Sequence, residues 1–287
     1  MLYAHSFKSV AILGLILIAG CASPKRSVPA PVPDRLAEML RQGEQAETRG
    51  EGAEAAKIYE AAVRDFPDYS VSWSHLGEYR RFWAHDPEGA IEAFHKAANA
   101  PQATAESVAF AYRGWGEVER SRGRISKALG LFEESLRHKP LADTHRSLSA
   151  LYATEKRDFE KAAHHAKAAV DLSPEDPIAL VQYAVQMARF KKFEESEEAF
   201  WKAMGIAGCD ERGRSNGLVH CCILYNGACY HAVRGNKADA LAMLKEFFST
   251  PNHRHITREE IVRDPDFESL VKDPDFKALL DYRLPEE

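Results

Sequence analysis

The sequence predicts an all-α fold of stacked helix pairs, and three observations carry it. Large and small residues recur in one fixed order. Trp73-x2-Leu76-Gly77 is followed by Ala90-x3-Phe94, and Tyr112-x2-Trp115-Gly116 by Gly123, Ala128-x3-Phe132 and Pro140. The order returns at a period of about 34 residues, the length of two short antiparallel helices and their turns. Pro67, Pro140 and Pro174 fall where the second helix of a pair should stop. No stretch keeps the two-residue alternation of a strand. Two short helices cannot bury their apolar faces alone, so the pairs must stack. Gly77, Gly116, Ala90 and Ala128 let the helices approach closely. Trp73, Trp115, Phe94 and Phe132 are expected to fill the gaps between pairs.

Of 287 residues, 45% are hydrophobic and 28% charged, a balance that supports a sizeable core. The net charge is −5 and basic residues are interleaved with acids. Without a basic stripe, nucleic-acid binding is disfavoured. Residues 1–20 carry Lys8 and the apolar run Val10 to Ala19, too short to span a bilayer comfortably and suited to a secretory signal. The run ends in Leu17-Ile18-Ala19-Gly20-Cys21. A plain signal with an incidental cysteine stays open beside the lipidation reading. Residues 21–33 hold Pro24, Pro29, Pro31 and Pro33, which exclude helix and favour an extended tether or leader.

From Asp34 the register runs in phase over residues 34–249. The first unit is Met39-x2-Gln42-Gly43-x2-Ala46, Gly50, Ala55-x3-Tyr59, Ala62 and Pro67, with Asp34 expected at the N-cap. The second starts near Ser70, with one extra residue between its helices. The third starts near Ala109, after an irregular connection around Pro101. The fourth, weaker, reads His145-x2-Leu148-Ser149-x2-Tyr152, then Ala162-x3-Ala166, Ala169 and Pro174. The fifth reads Leu180-x2-Tyr183-Ala184, then Ser196-x3-Phe200. The sixth reads Leu224-x2-Gly227-Ala228, Gly235, then Ala240-x3-Leu244. Within residues 250–287, Asp264-Pro265-Asp266-Phe267 and Asp273-Pro274-Asp275-Phe276 each place an Asp N-cap before a Pro at the first helical position. Short helices there should cap the open end of the stack.

These residues resemble a tetratricopeptide-repeat (TPR) α-solenoid of about six helix pairs with short C-terminal capping helices. The mature chain resembles bacterial TPR lipoproteins. Tyr225-Asn226-Gly227-Ala228-Cys229-Tyr230 and Arg263-Asp264-Pro265-Asp266-Phe267 are similar to the unit that ends many such arrays. The resemblance implies lipidation at Cys21. Ala22 after it favours the outer membrane, facing the periplasm, in a Gram-negative envelope. It also implies an adaptor binding a protein or peptide partner, with no cofactor. Family members serve cell-wall enzyme control, outer-membrane assembly, pilus biogenesis and polysaccharide export. The alternative is a structural accessory subunit of a secretion, pilus or polysaccharide-export assembly.

In this architecture the first helix of each unit lines a concave groove. The register places Ser74, Glu78 and Arg81 there in the second unit, and Arg113, Glu117 and Arg120 in the third. Arginines in this setting hold carboxylates bidentately; a solvated face with internal Glu–Arg pairs is the competing reading. The Lys and Asn pattern of the eukaryotic carboxylate clamp is not reproduced. In the last two units Ile178, Val181, Val185 and Ala188 occupy the face that should be wet, continued by Tyr225 and Cys229. A helix apolar all round must be covered, by the chain's own tail (the favoured cover) or by a partner segment. Cys209, Cys221, Cys222 and Cys229 with His220 and His231 lack a CxxC pair, so tight packing outweighs metal binding. His253 and His255 flank Arg254 in a loop. No HExxH, Gly-x-Ser-x-Gly or phosphate-cradling glycine loop is present, and no catalytic residue or metal site is assigned.

Overall fold

A computed structural model describes residues 29–208, 220–250 and 256–281. The leader, Cys21, Cys209, His253 and His255 lie outside the described residues. Twelve helices form six antiparallel pairs: α1 Asp34–Thr48 with α2 Gly52–Asp65, α3 Ser70–Phe82 with α4 Pro87–Ala98, and α5 Ala105–Ser121 with α6 Ile125–His138. Then follow α7 Ala142–Thr154 with α8 Phe159–Leu172, α9 Pro177–Arg189 with α10 Phe193–Ile206, and α11 His220–Val233 with α12 Lys237–Ser249. The tail adds α13 Arg258–Arg263, a 3₁₀ turn Pro265–Phe267 and α14 Pro274–Asp281. Among the described residues there is no strand, and no helix is long and apolar enough to cross a membrane.

In the first three pairs a large side chain of the second helix is seated on a glycine of the first. Tyr59, Phe94 and Phe132 are fully buried against Gly43, Gly77 and Gly116. A Cβ on Gly77 would lie 2.8 Å from the Phe94 ring, and one on Gly114, in the next unit, 2.4 Å from it. Phe94 is therefore clamped between two helices that only glycine allows so near. The tryptophans behave otherwise. Trp73 and Trp115 are half-buried at the edge of the stack. Trp73 Nε1 donates to the Pro67 carbonyl at 2.8 Å and Trp115 Nε1 to Glu119 Oε1 at 3.2 Å. Both rings still pack between successive pairs, Trp73 against the clusters on either side of it and Trp115 against the one before it, with the N–H turned to a partner at the rim.

The turns inside the pairs share one device. Gly50, Gly123 and Gly235 take positive φ, as do His85, Arg157 and Lys191 at the same place in the other three units. Asp34 stands inside the first turn of α1; Pro33 occupies the cap position and no side chain caps that end. The tail departs from expectation at its start. Thr257 and Glu260 form a reciprocal capping box for α13, whereas Asp264-Pro265 opens only a 3₁₀ turn.

Successive first helices pack on one another (α1 on α3, α3 on α5, α5 on α7, α7 on α9, α9 on α11), while the second helices make their main contacts with first helices. The stack thus closes on its first-helix side, which becomes the concave face. Phe94→Ala should lower unfolding free energy by about 3–5 kcal/mol through the cavity it leaves, and Gly114→Ala by about 1–3 kcal/mol through overpacking. Urea denaturation of the two variants measures both.

Candidate partner-binding groove

The repeat register places three rungs of residues along the concave face. One rung runs Leu40, Ser74, Arg113, Arg146, Val181, Tyr225; the next runs Glu44, Glu78, Glu117, Ala150, Val185, Cys229. A third runs Glu47, Arg81, Arg120, Ala153, Ala188, Ala232. The groove is therefore charged mainly over units one to three, mixed in unit four (Arg146, Ala150, Ala153), and apolar over units five and six.

In the charged half the side chains pair with each other across units. Glu78 accepts from Arg81 at 2.6 Å and from Arg113 of the next unit at 3.0 Å. Glu117 accepts from Arg120 at 3.0 Å and from the Ser147 hydroxyl of the fourth unit. Arg146 bridges Asp143 at 2.6 Å and Asp176 at 3.3 Å. The Arg81 guanidinium lies over Phe82 at 3.6 Å, and that of Arg113 over Phe110 at 4.6 Å. Glu117 is almost fully enclosed. Burial alone would raise its pKa, but Arg120, Arg81, the Ser147 hydroxyl and Arg113 outweigh it and hold the carboxyl down to about 2. Ser74 is buried and presents nothing to the groove. Of the six polar residues predicted here, Arg120 is the most open, at 36% exposure.

The same register puts Glu44 and Glu47 in unit one, which the sequence reading passed over. Glu44 Oε1 meets His75 Nε2 at 3.1 Å. Glu47 is half-buried, and its pKa is raised by burial and by the nearby Glu44 and Glu78. Phe82, 40% exposed, and Phe110 were missed as well. They stand beside the arginines and give the rim two aromatic faces.

The apolar half is closed by the chain itself. Val181 and Val185 are buried and share one hydrophobic cluster with Ile261, Phe267, Leu270 and Phe276 of the tail; half-buried Ile178 and Tyr225 pack against it. The Tyr225 hydroxyl donates to Asp264 Oδ2 at 2.5 Å, and its ring meets Phe267 edge-on at 5.9 Å. Arg189 pairs with Asp266, and Arg157 with Glu268 at 3.0 Å. Glu260 of α13 reaches into the field of Arg120. Val181 and Val185 have no surface left to offer a partner. Cys229, Asp264 and Asp266 bring potential ligand atoms within 4.8 Å of one another, but Arg189 already supplies a cation beside them. Burial pushes the Cys229 thiol and the Asp264 carboxyl up in pKa.

No family model matches the chain, and no curated protein matches it. Solved structures do. The chain is similar to PilW, a widely conserved type IV pilus biogenesis factor, at 13% identity and a TM-score of 0.54, over 87% of this chain and 100% of that one. It is similar to Pseudomonas aeruginosa pilF at 13% identity and a TM-score of 0.53, over 77% of this chain and 95% of that one. It is also similar to the APC/C hetero-tetramer Cut9–Hcn1 at 14% identity and a TM-score of 0.56, over 86% of this chain and 42% of that one. At these identities the likeness is one of fold. The fold is a TPR solenoid.

The ion network gives the solenoid a defined acid response. The Glu117 carboxyl in the folded chain titrates at about 2, below the ordinary value of about 4.3. The stability it contributes is complete above that ordinary value and is lost as pH falls toward 2. Thermal unfolding of wild type and Glu117→Gln should differ by a constant amount above about pH 5 and converge toward pH 2. A difference that is flat with pH would show that the carboxylate is not held by its arginines.

Proposed function

We propose that this solenoid is an adaptor of the bacterial cell envelope that binds another protein along the open part of its concave face, units one to three. The observation that carries the reading is the contrast within one groove. Units five and six, apolar at the groove positions, are sealed by the tail, whereas units one to three keep a pre-paired charged floor, of which Arg120 is the most exposed predicted member. At the centre of that floor three arginines (Arg81, Arg113, Arg120) meet two carboxylates (Glu78, Glu117). A partner's carboxylate would meet Arg120, the most exposed of the three, with Phe82, stacked under Arg81, at its side. Such pre-oriented guanidinium groups lose little freedom on binding.

Anchoring through Cys21 is part of the same proposal. The Leu17 to Cys21 sequence supports it, and so do the closely spaced prolines 24, 29, 31 and 33 that precede α1. The localisation that follows is the outer membrane, facing the periplasm.

A second reading, a fixed accessory subunit of an envelope assembly such as a pilus or export apparatus, draws on the outer side of α10. Phe193 and Trp201 stand eight residues apart there and are 46% and 48% exposed. One comparison separates the two. Partners crosslinked to the membrane-bound protein and purified with it should fall tenfold or more in yield with the Arg81→Ala/Arg120→Ala variant and persist with Trp201→Ser. The reverse pattern would assign the contact to α10 and the protein to a fixed assembly. Cys21→Ser should shift the protein from the membrane fraction to the soluble one.

A further inference from the structure

Away from the groove, α7 and α8 bring two histidines together through the same ring atom. His145 Nδ1 and His165 Nδ1 lie 2.9 Å apart, with ring centroids at 5.2 Å. Tyr152 stacks flat on His165, at 5.6 Å and 5°, and fixes its plane. His164, exposed at the adjoining position of α8, meets His165 edge-on at 5.3 Å. Both paired rings are half-buried, and burial lowers the pKa of each, that of His165 to about 4. They stand as neutral imidazoles at neutral pH, the form that ligates metals.

We propose that His145 and His165 form a binding site for a divalent transition-metal ion, coordinated through the two Nδ1 atoms. Imidazole–metal bonds are about 2.0–2.1 Å long, so two nitrogens 2.9 Å apart subtend roughly 90° at the ion. That angle fits the tetragonal or octahedral preference of Cu²⁺ and Ni²⁺. A tetrahedral Zn²⁺ site would need the rings to part to about 3.3–3.4 Å. Only one Nδ1 of the pair carries the shared proton. As the ion enters, that ring moves its proton to Nε2, both lone pairs face the metal, and no proton leaves the pair. Water fills the remaining positions, with His164 the nearest third imidazole.

Titration calorimetry of the untagged full chain with NiCl₂ at pH 7.5 tests the site. One equivalent should bind and raise the thermal midpoint, while Zn²⁺ binds more weakly. His145→Gln and His165→Gln should each abolish the isotherm with far-UV circular dichroism unchanged. Cys221→Ser/Cys222→Ser and His253→Asn/His255→Asn should leave it intact. No bound equivalent, an isotherm that survives either glutamine variant, or one lost in the cysteine or loop variants would overturn the assignment. Should a glutamine variant fail to fold, Cu²⁺ bound to wild type gives the second readout. Its electron paramagnetic resonance should show coupling to two imidazole nitrogens, and a spectrum lacking that coupling would sink the proposal.

Discussion

The stack depends on the seat that a first helix offers to one large side chain of the second. Phe94 has two such seats, Gly77 and Gly114, and so couples its own pair to the next one. The residues at this contact change along the array. Gly43, Gly77 and Gly116 face Tyr59, Phe94 and Phe132. Where the seat grows to Ser149, the occupant shrinks to Ala166, and the Ser149 hydroxyl donates to the Ala162 carbonyl at 2.9 Å. In unit six Gly227 takes the Met243 sulfur, at 2.5 Å from where a Cβ would stand. A close-packed interior tolerates exchange of volume between neighbours far better than net gain or loss. Units of unlike sequence can therefore keep one superhelix.

What the seats do not provide is an end. α9 is buried nearly all round, with Leu180, Val181, Tyr183, Ala184, Val185, Met187 and Ala188 all in the core. That is an unstable condition for a helix lining an open groove. The tail answers with residues spaced by three: Ile261, Asp264, Phe267 and Leu270 are buried, while Val262, Arg263, Glu268 and Ser269 face out. A spacing of three belongs to tight turns rather than to long α-helix, which accounts for the 3₁₀ segment in the middle. Asp264 caps that turn through the Asp266 N–H at 2.9 Å and receives the Tyr225 hydroxyl as well. The same carboxylate terminates the tail's backbone and fastens it to α11.

Legibility follows the range of the interaction. The small-and-large alternation is local to a pair, so the helix pairs, their turns and the fully buried aromatics could be read from residues alone. The capping box of α13 was equally local in Thr257-x2-Glu260, and only attention to the two Asp-Pro steps hid it. Trp73 and Trp115 do stand between pairs, but their partial exposure follows from the indole N–H, which size alone does not show. The concave rungs were legible too, once the register was fixed; Glu44 and Glu47 follow from the rule that gives Glu78 and Arg81. Pairing was not. Arg113 reaches Glu78 across 35 residues and Ser147 reaches Glu117 across 30, and those contacts depend on the pitch of the superhelix, which repeat spacing does not specify. The His145–His165 pair was hidden for a related reason. It spans the inner turn of unit four, where an extra residue and the left-handed Arg157 set how α8 meets α7.

The two halves of the groove solve one packing problem in opposite ways. Folding does not require charge at these positions, since units five and six fill them with Val, Ala and Cys and bury them. A buried ion network is seldom the more stable choice, because desolvation of Glu117 and Arg113 consumes most of what their attraction returns. Its physical effect is to keep a surface wet and shaped. Guanidinium groups tied to Glu78 and Glu117, and stacked on Phe82 and Phe110, cannot collapse into an apolar core, nor can the tail advance over them without stripping water from charge. The apolar half invites closure and the charged half resists it. Among the described residues the tail reaches Arg120 through Glu260, and it is there that the balance changes sign.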